Sequence, residues 1–147
     1  LIICEFENGS KTSLRHATVD VVVFSKDREK VLLVKRASHL HLEAGKWVVP
    51  GGYVDRNEHI TNAAKREVLE ETGYQLESIE FVKFTDNLQK PGDDRQSITF
   101  LHHAIVGKKV QDPDDESEEV KWFDLSQLPA KEEIGFDHYE YLEKFLK

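Results

Sequence analysis

Glu58, Arg66, Glu67, Glu70 and Glu71 lie close together in the chain, a few residues after the pair Gly51-Gly52. Helix formers run from Thr61 to Thr72, with hydroxyl and amide groups available to cap the start and Gly73 placed to end it. At ~100° per residue, Glu67, Glu70 and Glu71 fall within about 100° of one another, on a face beside the stripe Ala64, Val68 and Thr72. They occupy the end of the helix, where its dipole disfavours anions. Their i,i+3 and i,i+4 spacings add like-charge repulsion of about 0.2–0.5 kcal/mol per pair. Two readings account for such a patch. One is a solvated acidic face with Arg66 paired to Glu70. The other is a bound divalent cation, which reverses the sign of each of those terms and takes hard oxygen ligands, as Mg²⁺ does.

The surrounding sequence predicts the elements that would hold this patch. Leu1–Phe6 reads as a first strand, followed by a turn at Asn8-Gly9-Ser10. Arg15–Phe24 and Val31–Val34 read as a hairpin of strands, each so continuously apolar that both faces are expected to be buried. Lys35-Arg36 closes the second of them. A loop follows from Ala37 to Gly45, whose His39 and His41 have no neighbouring ligand cluster that would suit zinc. Trp47–Pro50 is a short strand, and Gly51-Gly52 permits close backbone approach. Tyr74–Asn87 predicts one or two strands, Leu88–Arg95 a loop marked by Pro91-Gly92, and Gln96–Val106 a strand antiparallel to the previous one. Alternation puts His102 and His103 on opposite faces, one buried and satisfied and the other in water. An acidic stretch from Gly107 to Glu119, a strand at Val120–Phe123 and an amphipathic helix from Asp137 to Lys147 complete the reading.

Taken together, Gly52, Glu58, Arg66-Glu67, Val68, Leu69, Glu70-Glu71, Thr72 and Gly73 are spaced as in the signature box of the Nudix hydrolases, which this chain resembles. The box ends on Tyr74, where an aliphatic residue is usual. Asn57 stands where relatives often carry glycine, and Asn tolerates a left-handed conformation. The resemblance covers most of the chain and implies an α/β (α+β) fold, a mixed β-sheet sandwiched between α-helices, with the box as a loop, helix and loop. It also implies Mg²⁺, with Mn²⁺ as the alternative, held by the Gly51 carbonyl, Glu67, Glu70 and Glu71. Arg66 and Glu58 would form a pair that fixes the carboxylates, and Glu70 would serve as ligand or base. A further glutamate is often drawn from a late loop in this family; Glu116 is the first choice here and Glu119 the second. In that chemistry the metal neutralises a diphosphate, orients a water and lowers its pKa while a carboxylate takes the proton.

The 147 residues suit one domain spanning 1–147, with 39% hydrophobic and 33% charged residues as in a soluble globular protein. No apolar run is long enough to span a bilayer. The chain begins at Leu1 and contains no methionine, so the start of its reading frame is expected to lie upstream; no signal region precedes the apolar Leu1-Ile2-Ile3-Cys4. The single cysteine excludes an internal disulfide, makes a reducing cytoplasm the default, and is expected in the core as Cys4. A net charge of −8 argues against nucleic acid as a partner and suits a small-molecule nucleotide recruited through metal. Neither GxxxxGK[ST] nor GxGxxG after a strand is present, which speaks against P-loop and dinucleotide-binding enzymes.

For the substrate, the Val-rich strand, GKWVVPGGYVD and Phe136-Asp137-His138 resemble bacterial enzymes that cleave ADP-ribose or related sugar nucleotides to AMP and a sugar phosphate. The alternative is a (d)NTP pyrophosphohydrolase, including one that removes oxidised nucleotides. Arg95, Phe24 and Tyr53 are conceivable base contacts. A third reading is a catalytically silent ligand-binding module. Such domains typically lose box carboxylates, whereas Glu67, Glu70 and Glu71 are all present and the sequence carries no DNA-binding segment. A homodimer is compatible with the family.

Overall fold

A computed structural model describes residues 1–146. Its central strand is Ala17–Phe24 (β3), in which Val19, Val21, Val22 and Val23 are fully buried. The β-branched run is buried on both faces because each face meets a separate core. Val19, Val21 and Val23 pack with Leu32 and with Ala63, Ala64 and Val68 of the helix Ile60–Thr72 (α1). Val22 and Phe24 pack on the other side with Val31, Leu33, Leu101, Tyr141 and Leu142. The period-2 alternation of the strand therefore divides its side chains between two layers.

β3 and Lys30–Arg36 (β4) form the expected antiparallel hairpin, but they pair only where Val23 meets Leu32 and Phe24 meets Val31. Beyond that point they splay. The segment between them supplies Trp47–Val48 (β5), which pairs with β4, and Gly51–Tyr53 (β6), which pairs with β3 so that Gly51 faces Asp20 and Gly52 faces Val19. Pro50 lies between the two, and its carbonyl accepts from the Val21 N–H at 2.9 Å. This opening in the sheet delivers the two glycines to the end of α1.

On its other edge β3 runs parallel to Ile98–Lys109 (β8), and β8 pairs antiparallel with Tyr74–Thr85 (β7), one long strand with several register shifts. β4 also pairs with Ser117–Asp124 (β9). The sheet is therefore mixed and lies between α1 and the late helical segment, as expected. Three details differ from the sequence reading. Ile3–Glu5 (β1) pairs with Lys11–Ser13 (β2) as a separate two-stranded sheet, so Cys4 is half-buried outside both core clusters. The late helix is His138–Leu142 (α2) followed by a 3₁₀ turn at Glu143–Phe145, a tightening that is frequent at helix ends. The paired histidines take opposite faces: His102 is fully buried, with Nδ1 at 3.1 Å from the Phe100 carbonyl and Nε2 without a partner among the described residues, and His103 is half-buried rather than in water, packed against Phe24 and Phe145.

Among the described residues no helix is long and apolar enough to cross a membrane.

Candidate active site

Helix α1 starts one residue before the expected hydroxyl cap, at Ile60, with His59 at the N-cap position and no side-chain cap bond. Glu58, immediately upstream, is engaged elsewhere. Its carboxylate accepts from Arg66 Nε at 2.7 Å, from Arg66 Nη2 at 3.0 Å and from the Asp55 N–H at 3.0 Å. The turn between them uses Asn57 at φ 65°, the left-handed conformation anticipated for that residue. The far end of α1 stops at Gly73, φ 80°, whose N–H donates to the Leu69 carbonyl at 2.8 Å.

Arg66 organises the acidic face. Its Nη1 reaches Glu67 at 2.8 Å and Glu70 at 3.1 Å, and its Nη2 also donates to the Tyr53 carbonyl at 2.9 Å. One guanidinium thus ties the turn, the strand β6 and two helix carboxylates together, a task for which its fixed planar fork is suited. Glu71 is buried, and it accepts from the Gly51 N–H at 3.1 Å. The loop after β8 is pinned to the same helix end. The Asp114 N–H donates to the Glu70 carbonyl at 2.8 Å, and Ser117 Oγ donates to that of Glu71 at 2.8 Å.

These contacts bring Glu67, Glu70, Glu71, Asp114 and Glu116 to the wall of one cleft of about 330 Å³, which Gly51 and Gly52 also line. Burial, with the charges of Glu70 and Glu116, pushes Glu67 up to about 7 even though Arg66 works the other way. Burial also pushes Glu71 well above the usual carboxylate range, aided by Glu67, Asp114 and Glu116. The side chains repel one another in a place with little water to screen them. The fit to a hard cation rests on this oxygen-only donor set and on Gly52, where a Cβ would lie 2.5 Å from the Glu67 carboxylate and fill the space beside it. Among the described residues no three acidic, His or Cys side chains already converge as a closed ligand set. Glu67 and Glu70 are turned to Arg66 and Glu71 to the Gly51 N–H. Mg²⁺, which keeps several of its waters, does not require a closed protein cage.

The rest of the cleft is of a different character. Arg36, Lys90 and Arg95 line it, together with Thr18, Asp20, Ser97, Phe136 and His138. Arg36 stacks on Phe136 with its guanidinium carbon 5.2 Å from the ring centre, and its Nε donates to the Leu42 carbonyl at 2.7 Å. Arg95 is held by both oxygens of Asp93 at 2.8 Å, bonds the Tyr53 hydroxyl and lies 5.5 Å from that ring's centre. Burial works against a charge on Asp20. His138, Lys90 and Tyr141 outweigh it and hold the carboxyl below its ordinary value. The Val49 N–H donates to His138 Nδ1 at 3.1 Å, which leaves Nε2 to carry the proton toward Asp20 Oδ2, 3.2 Å away.

Of the residues singled out in the sequence, Gly51, Glu67, Glu70, Glu71 and Glu116 line the cleft, and Glu58 and Arg66 stand behind it as a pair. Tyr53 and Arg95 line it as well. Phe24 does not: it is a core residue between His103 and Phe145. Glu119 faces Lys35 across β4 and β9, exposed and outside the cleft. Sequence reasoning missed Asp20, Lys90, Asp93, Ser97 and Asp114. Asp20 carried a signal, since an acid inside the run Ala17-Thr18-Val19-Asp20-Val21-Val22-Val23 is costly to bury without a partner.

The chain is 32% identical over 133 residues to the ADPR responsive transcriptional repressor NtrR of Acinetobacter baylyi, an overlap of 86% of this chain and 51% of the repressor. It therefore spans about half the length of that relative. It is 29% identical over 134 residues to the ADP-ribose pyrophosphatase of Methanocaldococcus jannaschii, across 90% of this chain and 75% of that protein. The solved NUDIX domain of Shewanella oneidensis NrtR, complexed with ADP ribose, is similar at a TM-score of 0.71 and 29% identity, over 90% of this chain and 87% of that one. The profile of the NUDIX domain matches residues 14–145, and with the box, the split hairpin and the carboxylate cleft in place, this chain belongs to the NUDIX domain family.

Proposed function

We propose that this chain is a Mg²⁺-dependent pyrophosphohydrolase acting on a nucleoside diphosphate linked to a sugar, with ADP-ribose the preferred substrate and AMP and a sugar phosphate the products. The observation that carries the reading is the division of one cleft into a wall of five acids, Glu67, Glu70, Glu71, Asp114 and Glu116, and a part that presents Arg36, Lys90 and Arg95. A diphosphate bridging a cation and basic side chains satisfies both. Similarity to the Methanocaldococcus ADP-ribose pyrophosphatase supports the substrate class.

Glu67, Glu70 and Glu71, with the Gly51 carbonyl, would hold the ion, and Mn²⁺ would fit the same oxygen donors. When bound, the ion neutralises the diphosphate and makes water a better nucleophile. Arg66 and Glu58 keep the helix carboxylates in place. Glu70, the more exposed of the three, or Glu116 takes the proton from water. A single-domain chain acting in a reducing cytoplasm agrees with this substrate class. A homodimer is the assembly we expect, since the outermost strand β7 carries Phe81 and Phe84 at 55% and 58% exposure.

A second reading, a ligand-responsive module within a longer protein, is favoured by the similarity to the Acinetobacter repressor, of which this chain matches about half. A third reading is a (d)NTP pyrophosphohydrolase, whose triphosphate the same acids and basic side chains would also meet. Turnover of ADP-ribose, other sugar nucleotides and normal and oxidised (d)NTPs, with Mg²⁺ and with EDTA, separates the three. AMP plus ribose 5-phosphate, lost in EDTA, supports the first. Pyrophosphate release from a triphosphate moves the assignment to nucleotide sanitation. Tight ADP-ribose binding without turnover in either metal leaves the module.

A further inference from the structure

We infer that the recess formed by Asp20, Lys90, Ser97 and Thr18 is a hydroxyl-binding subsite that takes the terminal sugar of the substrate. The inference rests on the reading above that the substrate is a nucleoside diphosphate linked to a sugar. Buried polar groups normally have well-made partners, and several at this end of the cleft do not. The Lys90 side chain is 7% exposed, yet its ammonium has only Thr99 Oγ1 at 3.3 Å and Asp137 Oδ1 at 3.5 Å. Asp137 Oδ1 is buried without a hydrogen bond. Ser97, 5% exposed, has a single hydroxyl contact at 3.4 Å, again to Thr99. A buried ammonium has three protons to place and a buried hydroxyl has both a proton and lone pairs, so this set is short of partners.

The chemistry of the missing partner follows from the mixture of groups. Asp20, whose Oδ2 already faces Tyr141 and His138, can only accept, Lys90 can only donate, and Ser97 and Thr18, the latter bonded to Thr99 at 2.8 Å, do both. A phosphate, which only accepts, would be placed against the buried Asp20 carboxylate. A sugar hydroxyl donates to a carboxylate and accepts from an ammonium at the same time, and neighbouring hydroxyls on a ring match acceptors and donors set side by side. A nucleobase has mixed edges too, but it also needs a flat face to stack on. The cleft offers such faces at Phe136 and Tyr53, where Arg36 and Arg95 already lie, whereas the ring beside Asp20, that of His138, is already stacked on Tyr141 and tilted against Phe136. A site built to hydrogen-bond hydroxyls discriminates strongly against a ligand that lacks them, because its own buried groups are then left unpaired.

The test is calorimetric binding in EDTA of ADP-ribose, of the methyl ester of ADP, which keeps base and diphosphate but has no terminal sugar, and of inosine diphosphate ribose, which changes the base alone. The wild type is expected to bind ADP-ribose at least about 10-fold more tightly than the methyl ester. Ser97→Ala is expected to shrink that ratio to below about 3-fold while leaving the methyl ester affinity within about 2-fold. Retention of the wild-type ratio in a folded Ser97→Ala variant would overturn the subsite, as would a variant that loses the preference for adenine over hypoxanthine and keeps that for the sugar. Equal wild-type affinity for ADP-ribose and the methyl ester sinks the subsite but leaves the diphosphate reading standing. Failure to bind any of the three, in EDTA and again with Ca²⁺ in its place, sinks both.

Discussion

Arg66 grips Glu58 through two parallel hydrogen bonds, Nε to Oε1 at 2.7 Å and Nη2 to Oε2 at 3.0 Å, and with its remaining nitrogen holds Glu67 at 2.8 Å. The fork joins the turn before α1 to the carboxylates on it. Lysine cannot make the paired bond. Arg66→Lys is therefore expected to lower metal-dependent turnover by about 100-fold through misplacement of Glu67 and Glu70. Steady-state kinetics on ADP-ribose checks this, with the far-ultraviolet spectrum as the control for folding.

Glu71→Gln keeps an oxygen that can accept the Gly51 N–H but removes a charge from a buried place. Turnover should be abolished. Thermal stability without metal should be equal to or above that of the wild type, because the buried acid costs folding energy that function offsets. A variant with near-normal rate would exclude Glu71 as a principal ligand.

The two glycines should respond differently to alanine. At Gly51 an added Cβ would lie 2.3 Å from both the Val19 carbonyl and Asp20 Oδ1, against the backbone of the central strand. Gly51→Ala should destabilise the fold by about 2 kcal/mol or more, measured by urea unfolding. At Gly52 the obstacle is the end of the Glu67 side chain, 2.5 Å away, which can swing aside. Gly52→Ala should fold with nearly unchanged stability and lose turnover by roughly 10- to 100-fold, because a metal ligand has moved.

Stability without metal should fall as pH rises. Glu67 sits at about 7 in the folded protein against an ordinary value of 4.5, so between those values the folded state binds more protons than the unfolded one. Below about 4.5 nothing is lost; from there through about 7 the unfolded chain has released a proton that folded Glu67 still holds, which lowers stability by about 3 kcal/mol. Glu71, shifted in the same direction, extends the slope upward in pH. Urea unfolding in EDTA at several pH values checks this, and Glu67→Gln should flatten the profile. Added Mg²⁺ should restore stability at high pH by binding the folded state.

The box and the helix face were legible because both are local. Ala64 and Val68 are buried while Glu67, Glu70 and Glu71 share one cleft, as a 3.6-residue period requires. The left-handed Asn57 and the Gly73 stop are local backbone properties too, and both are present. The expected hydroxyl or amide cap is not made: α1 begins at Ile60 with His59 at the N-cap position and no side-chain cap bond. Phe24 was misassigned because its sequence position does not say which of two cores it enters.

From residue types and spacing alone follow the acidic helix, the glycines that approach it, the buried Val-rich strands and the family they resemble. Tertiary structure alone decided what stands opposite the acids. Asp20 meets His138 across 118 positions by subtraction of their numbers, and Lys90 meets Asp137 across 47 by the same count. The splaying of β3 from β4 opens the sheet for Gly51. Periodicity carries information over a few turns of chain, whereas these pairings are set by which strands share an edge, and a strand shows the same alternation whatever neighbour it acquires.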